Sequence, residues 1–142
     1  MKKIQGGTLR KFRTFNIVMG CLHAFQGILM VVLSSSFTLP ITTSYVEVSS
    51  TTQRLAPTLT TLTNLSIGPL VAGFLFLSAA AHIIISMPGI FEWYTQNLKK
   101  GMNIARWIEY SASSSLMMVV IAMLVGVYDL STLILLFAIN AC

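Results

Sequence analysis

Four ionisable side chains sit inside apolar stretches of this 142-residue chain: His23, His82, Arg106 and Glu109. Ionisable groups are costly in hydrocarbon, so they mark a functional site or a buried pair. Each has polar company at helical spacing. Gln26 follows His23 by three residues, Ser78 precedes His82 by four, and Ser113 follows Glu109 by four. Residues three or four apart share a helix face, which also puts Arg106 beside Glu109. Such a set has a definite chemistry. Glu109 supplies a fixed negative charge, the two imidazoles hold or relay a proton, and the hydroxyls tune the site. A plainer role is open to the same residues: they would pair between helices and hold them together, with Ser113, Ser114 and Ser115 serving close packing. Arg106 lies near the start of its run and would then snorkel to the headgroups. Met117, Met118 and Met123 read as packing on their own. Two His and one Glu are zinc-ligand types, but three separate runs supply them with no local motif, so no metal site is expected. Cys21 and Cys142 form no CxxC pair, hence no disulfide framework.

The elements that must position these groups follow from composition. The chain is 55% hydrophobic and 9% charged, with a mean hydropathy of +0.80. A soluble domain is about 25% charged. These figures exclude a disordered chain and point to a polytopic, all-α membrane protein lying in a lipid bilayer. The net charge of +5 does not mean nucleic-acid binding, because the basic residues flank apolar runs. Lys2, Lys3, Arg10, Lys11 and Arg13 precede the first run with no acid among them.

The runs give helices over about 14–33, 65–87, 103–127 and 130–142. The first is longer than a signal-peptide core and carries Asn16, His23 and Gln26, so it is expected to be a true span. The 34–64 segment is rich in Ser and Thr. Residues 41–48 within it are rich in β-branched types and predict a strand, with a second short strand at 50–55 pairing as a hairpin. The 88–102 linker opens with the stop signal Pro88-Gly89 and carries Glu92, Lys99 and Lys100. The fourth run is thirteen residues in this sequence, about 20 Å of helix against a hydrocarbon core of about 30 Å. Three complete spans plus a truncated fourth are therefore expected, as the front part of a longer protein or as a truncated product. The basic N-terminus and the 88–102 linker should be cytoplasmic, and the neutral strand-bearing loop outside.

The third run reads Asn-Ile-Ala-Arg-Trp-Ile-Glu-Tyr-Ser-x-Ser-Ser-Ser from Asn103 to Ser115. An Arg, an aromatic, a variable residue and a carboxylate before a pair of hydroxyls resembles the third helix of microbial rhodopsins. The detailed form is similar to the heliorhodopsins. Phe15-Asn16, His23-x-x-Gln26, the Leu39-Pro40 entry to the strand-forming loop, Leu77-Ser78-x-x-x-His82 and Asn140 match as well, in order and at matching spacing. The resemblance covers nearly all of this chain, and about half of such a protein.

The resemblance implies a seven-helix retinal-binding photoreceptor, not an enzyme, with a cytoplasmic N-terminus, a sensory role, an unknown signalling partner and a homodimeric state. Glu109 would be the counterion of the protonated retinal Schiff base. His23, His82, Gln26 and Ser78 would belong to a polar, proton-accepting cluster. Ser113, Ser114, Met117 and Asn140 would line or adjoin the retinal pocket, with Arg106 nearby. A nearby anion raises the pKa of a buried imine and shifts its absorption. Two departures bear on function. The lysines are 2, 3, 11, 99 and 100, none inside an apolar run. The retinal-bearing lysine is therefore expected in a seventh helix outside this sequence. In proton-pumping rhodopsins a second carboxylate follows the counterion by eleven residues; here that position is Val120. Outward pumping of the usual kind is thus not expected. A light-driven or light-gated ion carrier is the alternative on the same fold. A helical membrane subunit without chromophore is the alternative from another class.

Overall fold

The computed structural model describes residues 6–49 and 53–142. In chain order it contains α1 (Gly6–Val32), β1 (Thr38–Val48), β2 (Leu55–Ser66), α2 (Ile67–Ile85), α3 (Ile90–Lys99), α4 (Ile104–Leu124) and α5 (Leu130–Ala141). Three helices have the length and apolar composition of a membrane span: Leu9–Val32, Ile67–Ile85 and Ile104–Leu124. Apolar residues cover their outward faces, among them Phe15, Val18, Phe25 and Ile28 on α1. Such a surface is tolerable only where lipid covers it.

Several boundaries differ from the sequence reading. Helix α1 begins eight residues before the predicted start at residue 14, because Arg10, Lys11 and Arg13 are good helix formers. Hydropathy marks where a helix enters lipid, not where it begins. Lys2 and Lys3, part of the predicted cytoplasmic charge, lie outside the described residues, as do residues 50–52 of the predicted second strand. That second strand is Leu55–Ser66 instead. Its Thr58, Thr60, Thr61 and Thr63 are β-branched and favour a pleated chain. Residues 65 and 66 therefore end a strand, and α2 opens at Ile67. The first strand starts at Thr38, three residues early, and takes in Leu39 and Pro40. Pro40 and Pro57 are both paired residues of the hairpin, opposite Asn64 and Val46. Every strand of a two-stranded sheet is an edge, so a missing N–H is tolerated there. The linker 88–102 contains α3, whose Ile90, Tyr94 and Leu98 repeat every four residues. Gly89 precedes α3 with φ of 82°, a left-handed turn that favours glycine.

The helices pack in an antiparallel series. Helix α2 lies between α1 and α4, and α4 lies between α2 and α5. The apolar core gathers at the hairpin end: Ile67, Val120, Ala122, Met123 and Leu133 are buried there, with Leu39, Ile41 and Leu65 of the hairpin packed on them. Backbone bonds secure this end. The Thr42 N–H donates to the Tyr128 carbonyl at 2.8 Å and the Ile67 N–H to the Phe37 carbonyl at 3.2 Å. Asp129 caps α5, its Oδ2 accepting from both the backbone N–H and the hydroxyl of Thr132 at 2.9 Å. Of the three Met residues read as packing, Met123 is fully buried and Met118 exposed, while Met117 is half-buried.

Helix α1 approaches α2 closely through glycines. A Cβ at Gly20 would meet Ile83 Cγ1 at 2.9 Å and the Ala79 carbonyl oxygen at 3.3 Å. The backbone atom cannot yield as a side-chain tip can. Gly20→Leu is therefore expected to cost about 1–3 kcal/mol of packing and to pry α1 from α2. Thermal denaturation followed by circular dichroism checks this; an unchanged Tm would mean that the two helices do not pack as described.

Candidate functional site

The polar residues collect toward the opposite end of the bundle, nearer α3. Asn103 caps α4 there by accepting from the Arg106 N–H at 3.2 Å. Glu109 is thereby placed about 8 Å along the axis from the first residue of α4. Its side chain points to α2. The Ser78 hydroxyl donates to Glu109 Oε1 at 2.7 Å, and the Ser113 hydroxyl donates to the same oxygen at 2.9 Å. Ser78 and Ser113 are buried and Glu109 half-buried. Oε2 has no hydrogen-bond partner among the described residues.

The two imidazoles meet one turn away, across the α1–α2 interface. The rings of His23 and His82 stack with centroids 5.6 Å apart at 17°. His23 Nδ1 pairs with Gln26 Oε1 at 3.2 Å on its own helix, as the spacing predicted. His82 Nδ1 pairs with Oδ1 of the buried Asn16 at 3.0 Å. In both pairs the amide oxygen accepts, which puts the proton on Nδ1.

The sequence-predicted residues fall into two groups around Glu109. A cavity of about 530 Å³ between α1, α2, α3 and α4 is lined by Asn16, His82, Arg106 and Glu109, with Phe15 and Tyr94. On the other side of Glu109 lies a hydroxyl–amide network between α4 and α5. Asn140 Nδ2 donates to Ser114 Oγ at 2.7 Å and to Ser115 Oγ at 3.1 Å. Ser114 and Ser115 donate in turn to the Tyr110 and Ser111 carbonyls. Met117 sits one turn beyond Ser113 on α4 and does not line the cavity.

Sharing a helix face does not make Arg106 and Glu109 a pair. Arg106 shares a helix side with Glu109, but its guanidinium turns away, donating to the Tyr110 hydroxyl at 2.6 Å and lying over that ring at 4.7 Å. A planar cation satisfied by an aromatic face and a phenol oxygen has less to gain from the carboxylate. The sequence assigned no site role to Asn16 or Tyr110 and gave Ser115 only a packing role. Asn16 had a usable signal, since it precedes His23 by seven residues, two turns along the same face. Ser115 had only its place in a serine run.

None of the curated proteins compared with the chain matches it. The heliorhodopsin family model matches residues 12–142, from the first span through to α5. That match takes in every residue of the Glu109 and histidine clusters, so the chain belongs to the heliorhodopsin family of retinal-binding rhodopsins and is an integral membrane protein.

Proposed function

We propose that this chain is the front part of a seven-helix retinal photoreceptor with a sensory role. In this reading the N-terminus and α3 face the cytoplasm, the hairpin faces outward, and the complete protein pairs as a homodimer and passes its signal to a further partner. The lysine that carries retinal belongs to the seventh helix of the complete protein. The observation that carries the proposal is Glu109: a half-buried carboxylate in an apolar span, held by two hydroxyls through one oxygen and bordering a cavity.

The residues fit the cofactor. Retinal needs an apolar slot, one anion and few competing donors; Glu109 is the anion, and Ser113, Ser114, Met117 and Asn140, which lie outside the cavity on the α4–α5 side, would border the slot in the complete bundle. When bound, retinal supplies a light-absorbing polyene and a positive charge at its lysine attachment. Ser78 and Ser113 fix the position of Oε1 and leave Oε2 for the cation. The stacked His23–His82 pair, oriented by Gln26 and Asn16, stores a proton released from that region. Arg106 remains on Tyr110 and keeps its charge off Glu109. Val120 is part of the buried apolar core, so the proton-donor position of pumping rhodopsins is filled by an aliphatic side chain here. This favours sensing over transport.

The test is spectroscopic and electrical. The complete protein loaded with retinal is expected to absorb visible light and to cycle after a flash without moving charge across a vesicle membrane. A steady light-driven current or pH change would establish the transport reading instead. The two hydroxyls should act in concert. Ser78→Ala and Ser113→Ala each remove one donor from Oε1, and each is expected to shift the absorption maximum slightly. In the double variant the shift should exceed the sum, since one surviving donor can still hold the carboxylate. Spectra identical to the parent in all three would remove both serines from the site.

A further inference from the structure

Helix α3 has a surface that the light-sensing site does not use. Four residues separate it from α2 and four from α4, so both of its ends are tethered to spans at one face of the membrane. One side of α3 packs inward. Phe91 lies under the Arg13 guanidinium at 5.9 Å, Tyr94 lines the cavity, and Thr95 is buried. Arg13 also donates from Nε to the Ser86 carbonyl at 2.9 Å, which ties α1 to the chain between α2 and α3. Exposed Trp93 stands at the edge of the inward side, one turn after exposed Ile90 in the first turn, and exposed Lys99 and Lys100 end the helix. Arg10, exposed, lies one turn before Arg13 on α1; Glu92 is the acid on α3.

We propose that α3 is an interfacial anchor that binds anionic phospholipid headgroups. Trp93 and Ile90 enter the headgroup layer, and Lys99, Lys100 and Arg10 take the phosphates. Tryptophan favours this depth because its ring is apolar and its N–H polar. Clustered cations next to a span are drawn to an anionic leaflet. The short tethers favour the lipid surface over a soluble acidic partner, since they hold α3 at the membrane whether or not a partner is present. The proposal does not depend on the chromophore.

The experiment uses the protein in vesicles of phosphatidylcholine, with or without phosphatidylglycerol. The fluorescence lost in Trp93→Phe defines the signal of Trp93. That signal is expected to be quenched more by lipids brominated near the headgroup than by lipids brominated at the chain end. Phosphatidylglycerol should strengthen the quenching. Lys99→Gln with Lys100→Gln should abolish that gain, each lysine contributing about five-fold to the local attraction. Both lysines are exposed, so folding is unaffected. Quenching of Trp93 by aqueous acrylamide but not by brominated lipid would overturn the proposal and leave α3 to a soluble partner. A phosphatidylglycerol effect that survives in the double lysine variant would equally overturn it.

Discussion

Glu109→Gln in the complete, retinal-loaded protein is expected to displace or abolish the visible absorption band. The substitution keeps the size of the side chain and both serine contacts but removes the charge. Two opposite charges about 4 Å apart interact by about 4 kcal/mol at an effective dielectric of about 20. Losing that attraction lowers the proton affinity opposite Glu109 by on the order of 3 pH units. The sign follows directly: an anion stabilises a neighbouring cation, so its removal makes the proton easier to lose. A spectrophotometric titration should show the visible band vanish at a lower pH than in the parent. Glu109→Asp, which restores the charge on a shorter stem, should recover much of the band. If Glu109→Gln leaves the spectrum and its titration unchanged, Glu109 is a structural tie to Ser78 and not the counterion.

Met123→Ala should destabilise the hairpin end of the bundle. Met123 is wholly buried where α2, α4, α5 and the hairpin converge. Truncation leaves a cavity that its neighbours cannot fill without moving backbone. Soluble cores lose about 2–5 kcal/mol from such a change. The lower end, about 2 kcal/mol, applies here because helices in lipid gain packing more than water release. Denaturation in mixed micelles would measure it, with Met118→Ala as the control: Met118 is exposed on the same helix and should cost little. Equal losses for both would mean that Met123 does not sit in the core.

Much of this arrangement was legible in the residues. The three spans were readable because lipid demands long apolar runs, and the histidine and glutamate positions stood out against them. The contacts His23 to Gln26 and Ser113 to Glu109 followed from helical spacing alone. What spacing could not show was which helix face meets which. Ser78 was expected near His82, yet its hydroxyl crosses to Glu109 on α4. Arg106 was expected beside Glu109, and an aromatic neighbour claimed it instead. Helix α3 was missed because a short amphipathic helix between spans has no hydropathy peak. The second strand was misplaced because Pro57 and a threonine run read equally well as loop or as edge strand, and pairing with β1 decided it.

The hydrogen bonds that join Thr42 to Tyr128 and Phe37 to Ile67 make the two ends of this molecule mechanically unequal. At the hairpin end the backbones themselves are stitched together; at the Glu109 end, among the described residues, every hydrogen bond between helices uses a side chain, Arg13 to the Ser86 carbonyl and Ser78 to Glu109 included. A bundle built this way behaves as a set of levers on a common fulcrum. A small push at the carboxylate opens the free end, while the stitched end stays as a fixed base. Amide hydrogen exchange would reveal the gradient, with Thr42 slow to exchange and the first turn of α4 fast.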